Sequence, residues 1–137
     1  MSTIVDSLQA IQASIVAATV SANRTDKVHL LAVSKAQPSV KLRAAYLAGQ
    51  RLFGENYVQE AISKQAELND LAIEWHFIGP IQSNKTALIA QHFDWVHSVD
   101  RLKIAQRLNE ARPENLPPLN VCIQINSSEE GSKSGVD

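Results

Sequence analysis

Leu119-Asn120-Val121-Cys122-Ile123-Gln124-Ile125-Asn126 is the stretch on which the fold turns. Its apolar residues Leu119, Val121, Ile123 and Ile125 alternate with Asn120, Cys122, Gln124 and Asn126, the period of a β-strand with one apolar and one partly polar face. A strand of a doubly wound sheet is buried on both faces and apolar throughout, whereas a strand of a β/α barrel can send a polar face into the lumen while the other packs on helices. The alternation therefore favours the barrel.

Upstream, short apolar runs alternate with helical patterns. Val28 to Val33 precedes the helical spacing of Val40 to Ala48, stopped by Gly49, and Leu52 to Phe53 precedes Val58 to Leu68. Glu74 to Ile78 precedes a helix around Lys85 to Ala90, and Phe93 to Val96 precedes Arg101 to Ala111. The strand starts Val28, Leu52, Glu74, Phe93 and Leu119 recur every 19 to 26 residues or so, the period of consecutive right-handed βαβ crossovers in a parallel sheet. An amphipathic helix comes first: Ile4, Leu8, Ile11, Ile15 and Ala18 share one face, Thr3 and Asp6 are spaced as a capping pair, and Ser21 to Asp26 ends it. The expected architecture is a single α/β domain over residues 1–137 of the (β/α) TIM-barrel type. Such a barrel closes with about eight strands and the pattern supplies about five. An incomplete barrel is therefore expected, truncated on its C-terminal side, where the Ser/Gly-rich stretch Glu129 to Asp137 should lead into another helix.

A chain of 137 residues suffices for one domain with a real core. With 45% hydrophobic and 20% charged residues, and five Gly and five Pro, it is neither disordered throughout nor collagen-like. Thirteen Lys+Arg stand against 14 Asp+Glu without a long block of either sign, so bulk charge offers no nucleic-acid surface. The one cysteine, Cys122, forms neither an internal disulfide nor a zinc-type thiolate pair, which fits a reducing cytoplasm. Asp6, Gln9, Gln12 and Ser14 interrupt the apolar N-terminal helix and no Lys or Arg precedes it, so neither a signal peptide nor a membrane partner is expected.

In parallel α/β folds ligands gather at the carboxyl ends of the strands. Those ends read Ser34-Lys35, Gly54-Glu55-Asn56, Gly79-Pro80, His97-Ser98 and Asn126-Ser127. Lys35 follows the apolar run Leu30-Leu31-Ala32-Val33; a stem in apolar surroundings would desolvate the amine and favour its neutral form, free to attack a carbonyl. On position alone the plainer reading is a surface lysine whose stem covers apolar atoms. Gly79 to Thr86 imitates a nucleotide phosphate loop, but Asn84 replaces its second glycine and Pro80 lacks an amide donor. His29, His76, His92 and His97 form no i, i+4 pair, and His76 and His97 fall on separate strands, so no metal is expected. His76, between Trp75 and Phe77, reads as a hydrogen-bonded core histidine or as a ligand contact. Cys122 has no adjacent base and reads as a filler of core or lumen.

Four runs carry a family resemblance: Leu30-Leu31-Ala32-Val33-Ser34-Lys35; Phe53-Gly54-Glu55-Asn56-Tyr57-Val58-Gln59-Glu60; Trp75-His76-Phe77-Ile78-Gly79 with Gln82-Ser83-Asn84-Lys85; and Asn126 to Gly135. Together, over almost the whole chain, they resemble the pyridoxal phosphate homeostasis proteins, single-domain relatives of the alanine racemase barrel. That resemblance implies an alanine racemase N-terminal-domain-like fold and pyridoxal 5'-phosphate held as a Schiff base on Lys35, with Asn56 near the phenolic oxygen of the ring. His76 and Asn84 match family positions at or near the cofactor side. Lys35 and Asn56 follow the first and second strands, so barrel geometry brings both to one rim. The family's phosphate cradle and the arginine facing the pyridine nitrogen come from later units, beyond Asp137.

The function so implied is that of a cytoplasmic, non-catalytic carrier in intracellular pyridoxal phosphate homeostasis, with the cofactor as its small-molecule partner and cofactor-dependent apoenzymes as candidate recipients. The alternative is a racemase-like enzyme. That chemistry needs a second base opposite the lysine, typically a tyrosine, and Tyr46 falls inside a predicted helix while Tyr57 opens another. Five strands would leave the first and fifth as open edges, from which self-association is expected.

Overall fold

Every strand lies beside the one that precedes it in the chain, so the sheet order is the sequence order. A computed structural model describes residues 3–128, 131 and 134–136. Five parallel strands, β1 (Ala32–Val33), β2 (Leu52–Glu55), β3 (Glu74–Phe77), β4 (Trp95–Val99) and β5 (Asn120–Ile123), form one sheet in the order β1-β2-β3-β4-β5. The helices are α1 (Ile4–Ser21), α2 (Ser39–Leu47), α3 (Val58–Glu67), α4 (Thr86–His92) and α5 (Leu102–Ala111), with a 3-10 turn, Ser83–Lys85, ahead of α4. A doubly wound sheet reverses its strand order at a switch point, and this one does not. The sheet is the wall of an incomplete α/β barrel.

The register separates two faces. Phe53 pairs with Trp75, Glu55 with Phe77 and Phe77 with Val96, and these residues face the helices. There Phe53, Phe77 and Val96 pack with Leu42 of α2, Ala61 of α3, Ile89 of α4, and Ile104 and Leu108 of α5, all but completely buried. The Phe77 and Phe93 rings meet edge to face, centroids 5.2 Å apart. Gly54 pairs with His76, and His76 with Trp95, on the opposite face, which is the lumen side. Arg112, just past α5, donates from Nη1 to the carbonyls of Ala90 and Phe93 at 2.7 Å each, tying the end of α5 to the end of α4.

Helix α1 begins with the expected capping box, Thr3 Oγ1 accepting from Asp6 N–H and Asp6 Oδ2 from Thr3 N–H. Its Ile4 and Leu8 pack against the core, while Val5, Ile11, Val16 and Val20 are exposed. Despite the interrupting polar residues, its 18 residues have a mean hydropathy of 1.3, enough by length and composition to cross a membrane.

Beyond shifts of one or two residues at strand ends, the structure departs from the sequence expectation in the following places. Strand pairing begins at Ala32 rather than Val28, and the carbonyl of Leu30 accepts from Gln50 Nε2 at 2.8 Å. The fourth strand starts at Trp95, because Phe93 ends α4, its N–H bonded to the Ile89 carbonyl. Beyond β5 the chain makes an isolated parallel bridge, Ile125 with Val136, where an open loop was expected. The bridge is tight: a side chain on Gly135, whose φ is +140°, would lie 2.6 Å from Asn126 N. Glu129, Glu130, Ser132, Lys133 and Asp137 of that expected loop lie outside the described residues. The alternation in β5 holds, but its apolar face is open, with Ile123 67% and Ile125 64% exposed.

Candidate functional site

Lys35 and Asn56 each stand two residues past a paired position, Val33 and Gly54, on adjacent strands. They therefore share the rim at the carboxyl ends of the sheet. The segment around Lys35 is a tight turn closed by Gln37 N–H donating to the Ser34 carbonyl at 3.1 Å. Its third residue, Ala36, has φ +60°, the left-handed conformation that favours glycine or asparagine and costs an alanine roughly 1–2 kcal/mol. The Lys35 side chain itself is exposed, and among the described residues no hydrogen bond or ion pair engages its amine. This corrects the expected desolvated setting: Lys35 lies beyond the apolar run, on the solvent side of the turn.

The buried lysine is Lys64 of α3. Its Nζ donates to Glu55 Oε1 at 2.9 Å and Oε2 at 3.0 Å, to Glu60 Oε1 at 2.8 Å and to the Ser34 carbonyl at 2.8 Å. Ser34 Oγ donates to Glu55 Oε2, and Ala36 N–H to Glu60 Oε1 at 2.8 Å. Glu55 is fully buried and Lys64 is 6% exposed, so the ions are compensated inside the fold. The Lys64 hydrogen bond holds the Glu60 carboxyl below its ordinary value, and the Ala36 amide adds to this against a desolvation penalty.

Asn56 borders a cavity of about 330 Å³ with Tyr57, Gln59, Pro80, Gln82 and Lys85. Its Oδ1 is buried and has no hydrogen-bond partner, an arrangement native proteins rarely leave without a use. Gly79 explains why the second and third strand ends can come this close: a side chain there would lie 2.6 Å from the Asn56 carbonyl oxygen. That glycine serves backbone contact rather than a phosphate loop. A second cavity, about 460 Å³, opens over the ends of β3 to β5 and is lined by Ser98, Asp100, Gln124, Asn126 and Ser134 among others.

His76 is buried on the lumen side. Its Nε2 hydrogen-bonds Glu74 Oε2 at 3.1 Å, its Nδ1 hydrogen-bonds His97 Nε2 at 2.8 Å, and its ring stacks on Trp95 at 5.6 Å. Burial, with His76 as a lesser cause, lowers the pKa of His97. Asn84 is exposed on the 3-10 turn that leads into α4. The fold thus sets Lys35 and Asn56 on neighbouring strand ends, His76 level with Gly54 beneath the Asn56 position, and Asn84 on a connecting turn. No group of three or more His, Cys, Asp or Glu among the described residues forms a metal site.

Lys64, Glu60 and the His76–His97 contact escaped the sequence reading, although a signal existed for each. Glu60 and Lys64 are spaced i, i+4 on α3, and His76 and His97 stand two residues into their strands. With His76 in register with Trp95, His97 two residues on falls on the same face of the adjacent strand, diagonal to His76.

Residues 7–137 match the family described as alanine racemase, N-terminal domain, and the chain belongs to that family. Among its relatives is a pyridoxal phosphate homeostasis protein of Pseudomonas aeruginosa, 62% identical over 98% of this chain and 59% of its own length. One of the same name from Escherichia coli is 56% identical over 88% of this chain and 53% of its own. Among solved structures, PipY of Synechococcus elongatus PCC7942 with PLP bound superposes with a TM-score of 0.80 at 41% identity, covering 98% of this chain and 58% of that one. The chain spans less than three fifths of each of these relatives.

Proposed function

We propose that this chain binds pyridoxal 5'-phosphate covalently through the amine of Lys35 and serves, in the cytoplasm, to hold and release that cofactor rather than to racemise amino acids. The observation that carries the reading is the likeness to PipY with PLP bound, over 98% of the chain at 41% identity. The names of the Pseudomonas and Escherichia relatives point the same way.

The residues on the rim fit such a ligand. Pyridoxal phosphate supplies an aldehyde that condenses with a primary amine and an electron-withdrawing ring. Lys35 offers an exposed amine that no carboxylate engages. The partnerless amide oxygen of Asn56 marks a side chain whose polar end still awaits a ligand group, and we assign it to the ring side of the cofactor. His76 has both ring nitrogens occupied by Glu74 and His97; its role is to shape the lumen floor. Asn84, exposed on its turn, is retained as a contact on the cofactor side. Cofactor-dependent apoenzymes are the proposed recipients.

The racemase alternative requires a proton-transferring group opposite Lys35. Tyr46 is engaged elsewhere, its hydroxyl accepting from Ala72 N–H and its ring lying under Arg51 at 3.7 Å. Tyr57 is exposed and lines the cavity beside Asn56, which keeps the alternative open to test. In an absorbance titration with pyridoxal phosphate, wild type is expected to develop a saturable visible band that Lys35→Ala abolishes. Racemisation of amino acids by the loaded protein, lost in Tyr57→Phe, would replace the carrier reading with the enzyme.

A further inference from the structure

The two residues that flank Lys35 are gripped by one buried cluster. On one side Ser34 is held three ways: its N–H donates to the Gly54 carbonyl at 2.9 Å, its Oγ donates to Glu55, and its carbonyl accepts from Lys64 Nζ at 2.8 Å. On the other side the N–H of Ala36, in the left-handed conformation, donates to Glu60 Oε1 at 2.8 Å. Lys64 then bridges Glu55 and Glu60, closing the ring of contacts around the turn.

Docking α3 on the sheet does not need this cluster. Val58, Ala61 and Leu68 already bury an apolar face there, and a buried ion cluster adds little stability over apolar packing of the same volume. What it adds is geometry, because Lys64 and Glu60 bond the backbone atoms either side of Lys35 and Glu55 holds the Ser34 hydroxyl. It also makes the two nearby amines unlike. Lys64 is buried and shared among three acceptor groups, whereas Lys35 is exposed and unengaged.

We propose that Glu60 and Lys64 of α3 are positioning residues for Lys35, fixing the Ser34–Gln37 turn so that the Lys35 amine, and no other, is presented to an incoming aldehyde. The inference rests on the reading of Lys35 given above. Neither Glu60 nor Lys64 touches the ligand in this account. They act through the turn.

The test uses the full chain as wild type, Glu60→Ala and Glu60→Gln. Lys64→Met would leave Glu55 buried without its cation, so the Glu60 pair, on a side chain 34% exposed, carries the experiment. Three quantities are read: hydrogen exchange at the Ala36 amide without ligand, the pH profile of Lys35 acetylation by acetic anhydride, and the share of borohydride-trapped pyridoxal phosphate found on Lys35. Loss of a hydrogen bond to a charged acceptor near the surface is expected to speed Ala36 exchange about tenfold in Glu60→Ala. The Lys35 acetylation profile should shift and trapping should spread to other lysines. Glu60→Gln keeps an acceptor for the Ala36 amide and should restore most of both. If Ala36 exchange rises while Lys35 acetylation and trapping match wild type, the cluster only holds the helix and the inference is overturned. If wild type itself traps nothing on Lys35, the reading of Lys35 falls, and the inference with it.

Discussion

The two polar clusters of this fold lie on opposite faces of one sheet, around neighbouring strands, and are built on different chemistry. On the helix side, Glu55, Glu60 and Lys64 form a compensated ion cluster, with Lys64 Nζ within 3.0 Å of each carboxylate. On the lumen side, Glu74, His76 and His97 form a hydrogen-bonded chain whose imidazoles are 2.8 Å apart. The first pairs carboxylates with an ammonium and bonds the backbone on either side of Lys35. In the second, burial, with His76 as a lesser cause, opposes protonation of His97. One sheet thus carries an ion cluster on its helix side and a histidine pair on its lumen side.

The sharpest way to break the comparison is Lys64→Met. Removing the cation strands Glu55, which is fully buried, and breaking one side of a buried pair costs about 3–5 kcal/mol. Urea denaturation should register that loss, and Glu55→Gln in the same chain should recover much of it. A loss below about 1 kcal/mol would mean that solvent reaches Glu55.

Asn56→Ala comes next and concerns the ligand. The fold should be unchanged, since the amide oxygen bonds no protein donor, while cofactor retention should weaken by about 1.5–3 kcal/mol, the value of a hydrogen bond to a charged or polarised group. Unchanged affinity would remove Asn56 from the site.

Acid titration separates the clusters. His97 has a lowered pKa in the fold, so the unfolded chain binds more protons as the pH falls below the ordinary histidine range. Stability is therefore full above that range and declines as the pH drops through the lowered value. Glu60, also lowered, contributes fully above the ordinary glutamate range and is lost at more acid pH. Two successive losses are expected in a stability-versus-pH curve, and His97→Gln should erase the first alone. The smallest effect is expected at the edge: Ile123→Thr, at a residue 67% exposed, should change stability by no more than about 0.5 kcal/mol. It should also reduce any self-association measured by sedimentation.

The parts of the fold legible in the sequence were those set by local pattern. The Thr3–Asp6 cap and the strand-helix period appear where the residues dictate, whereas the apolar face of β5, expected to pack on helices, is open. Phe93 was misplaced because an apolar residue closing a helix and one opening a buried strand look alike until packing decides, here against Phe77. Val28 to Leu31 were misplaced because their apolar character promised a ladder, yet Gln50 takes the Leu30 carbonyl. The placement of Lys35 and Asn56 on one rim was legible because they follow the first two strands, which pair. Lys64 was not, since a charged residue four positions after a glutamate reads as a solvated helix face. Only the strand-end carboxylate of Glu55, on the same side of the sheet, turns it inward.

The central claim is that Lys35 is the residue that bonds pyridoxal phosphate, and peptide mapping after borohydride reduction tests it directly. Incubated with the cofactor and reduced, the protein is predicted to carry one adduct, on the peptide spanning Val28 to Lys41, at the Lys35 position. Label spread evenly over Lys27, Lys41, Lys64 and Lys85, or absent from Lys35, would contradict the account.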